Sequence, residues 1–290
     1  MSTRVQMRKG LASAPAPLET DAPPPQPEDY AEFLRAMLPQ QTKAVASHRF
    51  GAERVWIKKA GPRHGMMRYR LQAAISAILR LDLAPVPNPG GEAALVIEAR
   101  RLYQLGLAGL RVPAVLAQQP DGLMISDLGE SGRPAVVLQE RLDQAAAAGP
   151  ASLLAVWNDG LAAIALVHAR DAYLSQAFDR NLVQCPDGTI GYIDFEDDPG
   201  ETLSLAECQA RDWLSYLHST AMLVDAASPH AAAAHWHRTL ADASDEVRER
   251  LAVAARRMRW LRHLPSGRRW GRDTQRVRAV ASLMARWYSS

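Results

Sequence analysis

Residues 181–198 read NLVQCPDGTIGYIDFEDD, and how this stretch folds decides the architecture. Two short runs, 181–186 and 189–195, flank Asp187-Gly188, a dipeptide that takes the positive φ angles of a tight hairpin turn at little cost. In the second run, strand alternation turns Ile193 and Phe195 inward and sends Asp194 and Glu196 to the opposite side at the strand's end. Carboxylates clustered there fit two uses. They are hard oxygen ligands suited to Mg²⁺, which takes one or two carboxylates together with phosphate oxygens and water. They equally suit an acidic loop that caps the following helix.

Upstream of the hairpin, Leu153, Trp157, Leu161, Ile164 and His168 recur at helical spacing, and the helix closes on Val167-His168-Ala169-Arg170-Asp171. Downstream of Pro199 the chain reads as helical to its end, with one stripe of Val247, Leu251, Ala254, Met258 and Leu261 and another of Val277, Val280, Met284 and Trp287. The first half differs. A short helix over 31–38 precedes an alternating strand over Arg54–Ala60. A helix over 66–82 carries Met67, Leu71, Ala74, Ile78 and Leu81 on one stripe, and a second helix runs from about Gly91 to Leu107. Strands around 112–118 and 122–128 then meet at the turn Gln119-Pro120-Asp121-Gly122. The expected class is α+β, with a small strand-containing part over 29–130 and a helical part over 131–290 holding one hairpin. Residues 1–28, rich in Pro, Ala and small polar groups, lack the periodicity to bury apolar surface and are expected to form a disordered leader.

At 290 residues, 48% hydrophobic and 22% charged, the chain is long and apolar enough to build a sizeable core. No apolar run approaches the roughly 18 residues of a membrane span, and no secretory signal opens the sequence, so the expected compartment is the cytoplasm. Cys185 and Cys208 make no disulfide framework, and no His or Cys stands at zinc-ligand spacing. The formal charge of +3 is unevenly spread. Residues 243–290 hold twelve arginines against Asp245, Glu246, Glu249 and Asp273, a local balance of +8. Such a face is either a solvated helix surface or a peripheral contact for acidic lipid; nucleic acid is not the expected partner.

Lysine is scarce: Lys9, Lys43, Lys58 and Lys59 are the only ones. Glu98 projects from the same helical stripe as Leu95, Leu102 and Leu105, where an unpaired carboxylate would be costly, and the strand ahead of it offers Lys58 and Lys59. Alternation alone does not choose between the two lysines.

Strand lysine in Val-Trp-Ile-Lys (55–58), helix glutamate Glu98, a His/Asp-containing loop, Asn-Leu-Val, a hairpin and Ile-Asp-Phe-Glu occur in an order that resembles the protein-kinase-like superfamily, over about residues 50–225. The resemblance is to atypical bacterial branches, those of the lipopolysaccharide-core, aminoglycoside and choline kinases. It implies a two-lobed fold and a site for ATP with Mg²⁺. In that pattern Lys58 contacts the phosphates and pairs with Glu98, Asn181 and Asp194 hold the metal, and the strand around Ile125 and Asp127 holds adenine through backbone groups. Asp212, in Ala-Arg-Asp-Trp-Leu, resembles the buried aspartate that fastens the catalytic loop, with His168 in support.

The chain departs from the family twice. Only Phe50-Gly51 stands where a glycine-rich phosphate cover belongs, and Asp171 and Asn181 are ten residues apart where the family uses five. Two registers follow. Either Asp171 is the base and Gln176 offers its amide oxygen to the metal, or Asn181 keeps the metal, thirteen residues before Asp194, and the base position falls on Gln176, which accepts no proton. The first describes an ATP-dependent phosphotransferase acting on a hydroxyl of a small molecule, sugar or lipid-linked saccharide. The second describes a nucleotide-binding pseudokinase. A third possibility, an Arg-rich helical adaptor, is opposed by the apolar stripes of the C-terminal helices, which packing on the body explains better.

Overall fold

The computed structural model describes residues 26–61, 90–265 and 267–288. The expected helix over 66–82 and nearly all of the expected leader lie outside these residues.

The first helix, α1 (Pro27–Met37), starts two residues inside the expected leader. Pro27 occupies the first turn, where its missing N–H costs nothing, and the Asp29 carboxylate accepts the Gln26 N–H at 2.7 Å. Strands β1 (Val45–Phe50) and β2 (Glu53–Lys59) follow, then α2 (Gly91–Leu107), β3 (Val115–Gln119) and β4 (Gly122–Ser126). They form an antiparallel four-stranded sheet in the order β1-β2-β4-β3. The β1–β2 connection is the two-residue turn Gly51-Ala52, with Gly51 at φ +58°. This turn leaves no room for a long glycine-rich cover.

Both faces of the sheet are packed. Val55, Ile57 and Met124 sit under Leu34 and Leu38 of α1 and its continuing turn. On the other face Leu123 and Ile125 join Leu95, Leu102 and Leu105 of α2 in the main core. At roughly 25 cal/mol per Å², burying such side chains contributes about 1.5–3 kcal/mol each. The alternation that puts Val55 and Ile57 under α1 sends Trp56 and Lys58 toward α2.

The rest is helical: α3 (Leu138–Ala148), α4 (Pro150–His168), α5 (Leu205–Ala227), α6 (Pro229–Ala241), α7 (Asp245–Met258) and α8 (Arg272–Tyr288). A second small antiparallel sheet, β5 (Val136–Val137), β6 (Leu182–Gln184) and β7 (Ile190–Tyr192), contains the hairpin that opened the sequence reading. Its turn is the expected one, with Gly188 at φ +86°. The Tyr192 N–H donates to Arg111 O and its hydroxyl to Ala163 O, so the hairpin is stitched both to the segment after α2 and to α4.

The molecule is thus mixed α+β, with a small antiparallel sheet and a helical C-terminal region. By length and mean composition α4, 19 residues with a mean hydropathy of 1.5, has the make-up of a membrane span, although Asn158 and Asp159 break its apolar run. Its apolarity has an internal use. Leu153, Trp157, Leu161, Ile164 and Val167 are buried in the main core, and Gly160 lets Tyr216 of α5 approach so closely that its hydroxyl donates to Trp157 O at 2.8 Å.

Candidate nucleotide and metal site

Lys58 resolves the choice between the two strand lysines. Its side chain is 8% exposed, and its Nζ lies 2.6 Å from Glu98 Oε2, 3.2 Å from Asp194 Oδ1 and 3.4 Å from Glu196 Oε1. Lys59 points to the opposite face, toward the carbonyls of Leu38 and Gln41. The ammonium therefore gathers one carboxylate from α2 and two from the exit of the hairpin, 136 residues along the chain from β2.

Each partner is placed by a local feature. Glu98, 1% exposed, is held by the leucine stripe of α2 and accepts the Phe195 backbone N–H as well as Lys58. Phe195 is itself buried in the core, which anchors the turn that carries Asp194. Asp194 adopts φ +71°, a left-handed conformation that costs a non-glycine residue energy and that Asp tolerates better than most. That kink turns the carboxylate back over β2 as the chain leaves the hairpin. Burial works to lower the Lys58 pKa, but the charges of Glu98 and Asp194 outweigh it and hold the ammonium above its ordinary value. Burial raises the Glu98 carboxyl, opposed by Lys58.

Lys58 thus stands among the three carboxylates of Glu98, Asp194 and Glu196. The donor chemistry fits Mg²⁺ carried in on phosphate, because the ion then needs only one or two protein carboxylates and a neutral oxygen, and Asp194, Glu196 and the Asn181 amide are of that kind. Among the described residues no group of three or more His, Cys, Asp or Glu forms a dedicated metal cage.

Asn181 closes the short turn Asp179–Asn181 and is buried. Its Nδ2 donates to Gln176 O at 3.0 Å, and its own carbonyl accepts the Ile193 N–H at 3.0 Å, next to Asp194. Gln176 is thereby bound to the hairpin through Asn181, while its side-chain Nε2 donates to Asp197 Oδ2 at 3.1 Å. Arg211 of α5 approaches the same Asp197 oxygen at 3.4 Å. Asp171 lies apart. It ends the turn after α4 at φ +51°, its side chain is exposed, and no hydrogen bond or ion pair among the described residues joins that side chain to the Lys58 cluster.

Asp212 and His168, given supporting roles separately in the sequence, meet in the structure. His168 Nε2 stands 3.1 Å from Asp212 Oδ2, which also accepts the Leu174 N–H at 2.7 Å, and the imidazole packs edge-on against Trp213. Burial pushes the Asp212 carboxyl up while His168 draws it down. The pair fixes the segment between α4 and Asn181 to α5.

Ile125 is buried on β4, opposite Trp56. The Asp127 carboxylate accepts the Trp56 indole N–H at 2.9 Å. The Ser126 and Asp127 N–H groups donate to Ala114 O and Arg54 O.

Sequence inspection missed a clamp beside the site. Arg100 Nη2 bridges Asp198 at 3.0 Å and Glu201 at 2.6 Å, Tyr173 donates to Asp198 Oδ1 at 2.6 Å, and Arg101 donates to Tyr173 O at 2.6 Å. These contacts pin α2, and with it Glu98, to the loops on either side of the hairpin. The signal was the adjacent arginines after Glu98 facing an acidic run, which spacing alone attributes to helix capping.

No protein-family model matches the chain, and no curated protein matches it.

Proposed function

We propose that this chain is a kinase-like nucleotide-binding module of two lobes, holding ATP with Mg²⁺ between the four-stranded sheet and the helical region, with phosphoryl transfer impaired. The observation that carries the proposal is the contact of Lys58 with Glu98 and Asp194, which joins the strand and the hairpin exit around one ammonium. On nucleotide binding Lys58 would turn from Asp194 to phosphate oxygens while Asp194 and Asn181 hold the cation. Glu98 would keep the lysine in place.

The impairment rests on Gln176. Five residues before Asn181 and bonded to it through its carbonyl, Gln176 occupies the position where a proton acceptor is needed, and an amide accepts no proton there. Transfer would then rely on positioning and charge neutralisation.

A second reading has one observation in its favour. Among the described residues Asp171 and Asp194 are the only non-glycine residues at positive φ, and strain of this kind concentrates at functional sites. An exposed Asp171 acting as base would make the protein a phosphotransferase toward a hydroxyl of a small molecule, sugar or lipid-linked saccharide. Phosphate release from ATP with Mg²⁺ separates the two. The impaired module gains at least tenfold with Gln176→Asp and is indifferent to Asp171→Asn. If Asp171→Asn abolishes turnover, the phosphotransferase reading stands.

A further inference from the structure

The connection between α7 and α8 serves none of the contacts described so far. Residues 256–272 read RRMRWLRHLPSGRRWGR, with seven arginines and no acid. Of the seven tryptophans, Trp157, Trp213 and Trp236 are buried and Trp56 and Trp287 half-buried. Only Trp260 and Trp270 are largely open to solvent, at 66% and 50% exposure. They stand near the two ends of this connection, in the short helical turns Arg259–His263 and Arg268–Trp270, with Leu261 and Leu264 between them. Arg259, Arg262, Arg269 and Arg272 are exposed, and among the described residues none of the four is paired with a carboxylate. The first turn is held against α8, and Thr274 Oγ1 donates to Trp270 O at 2.8 Å, so the second turn's main chain is tied to the start of that helix.

Apart from Arg269 5.5 Å over the Trp270 ring, the exposed indoles leave apolar surface in water, and seven like charges in seventeen residues repel one another. Both costs vanish at one kind of surface. A bilayer with anionic headgroups takes indoles at the headgroup level, leucines just below, and neutralises arginines with lipid phosphates. We propose that residues 256–265 and 267–272 form a peripheral docking surface for an anionic lipid bilayer. The interspersed Leu264 and Pro265 favour the bilayer over a nucleic acid, where arginines and aromatic faces would be used but Leu264 would gain nothing. This proposal is independent of the nucleotide site.

Co-sedimentation of the full chain with vesicles tests it, using phosphatidylcholine alone and phosphatidylcholine with 30% phosphatidylglycerol, over a series of NaCl concentrations. Binding is expected to the anionic vesicles only and to fall steeply with salt. Each arginine near such a surface changes affinity by about fivefold, so Arg259→Glu/Arg262→Glu lowers it by at least twentyfold, and Trp260→Ala/Trp270→Ala by at least tenfold. Unchanged melting temperatures for both variants show that the fold persists; all four residues are exposed. Absence of binding to the anionic vesicles, equal binding to both vesicle types, or binding unaffected by the two double variants overturns the proposal. So does a single-stranded oligonucleotide that competes the protein off the vesicles at equal phosphate concentration.

Discussion

Lys58→Met removes the ammonium from among Glu98, Asp194 and Glu196 while nearly keeping its volume. Lys58 and Glu98 have side chains 8% and 1% exposed, so the surviving Glu98 carboxylate cannot be rescued by water. Breaking a buried pair of this kind costs about 3–5 kcal/mol, which for a chain of this size lowers the melting temperature by roughly 6–20 °C. The cost depends on pH. With Lys58 gone, only the Phe195 N–H still opposes the burial that pushes Glu98 up, so its folded-state pKa exceeds the unfolded value of about 4.3. A carboxyl with a raised folded pKa loses stability as pH rises through that interval; the deficit is therefore largest at pH 7 and shrinks toward pH 5. Lys58→Met/Glu98→Leu should recover most of the loss, because an apolar pair of similar volume is close to neutral in place of a buried ion pair. Urea denaturation of wild type, both single variants and the double variant at pH 7 and pH 5 reads the cycle. A deficit under about 1 kcal/mol, or additive single effects, would show that the pair is not desolvated as described.

His218 is buried on α5, and burial lowers its pKa to about 4. The unfolded chain therefore takes up this proton first, so stability is complete above about pH 6.5 and falls as pH drops toward 4, by on the order of 3 kcal/mol; His218→Phe should flatten that part of a stability–pH curve. Gly160→Ala places a methyl group into the Tyr216 ring and should cost about 1–3 kcal/mol by urea denaturation, whereas an alanine at exposed Gly132 meets only the strain of φ +76°. Arg101→Ala removes a buried guanidinium that donates to Tyr173 O and lies 4.1 Å from the Tyr173 ring, and should cost about 2–4 kcal/mol. Arg100→Ala, at a side chain 45% exposed, should cost no more than about 1 kcal/mol.

The elements with strong periodicity were legible in the sequence. Helix α2 runs over the residues its leucine stripe marked, and the Asp187-Gly188 turn sits where the dipeptide placed it. Strand β1 was not legible, because Val45–Phe50 is an edge strand whose side chains alternate only between exposed and half-buried, and Ser47, His48 and Arg49 give it no apolar face. The two-residue β5 is shorter than any pattern. Within the site, a lone carboxylate on an apolar stripe announced a buried partner. The strand period could not name that partner, since the side occupied by α1 is a tertiary fact. Spacing could not choose between Asp171 and Gln176, because the contact between the Asn181 side-chain amide and the Gln176 carbonyl depends on how the loop after α4 folds back. The clamp of Arg100, Arg101 and Tyr173 was hidden because its acidic partners looked like an ordinary helix cap.

The central claim, a triphosphate and cation gathered by Lys58 and Asp194, is tested most directly by calorimetric titration of the protein with ATP in the presence and absence of Mg²⁺, alongside Asp194→Asn, a change at a partly exposed side chain that spares the Lys58–Glu98 pair. The account predicts Mg²⁺-dependent binding to the wild type that weakens at least tenfold in the variant. Binding of equal strength in both proteins, or none to the wild type, would contradict it.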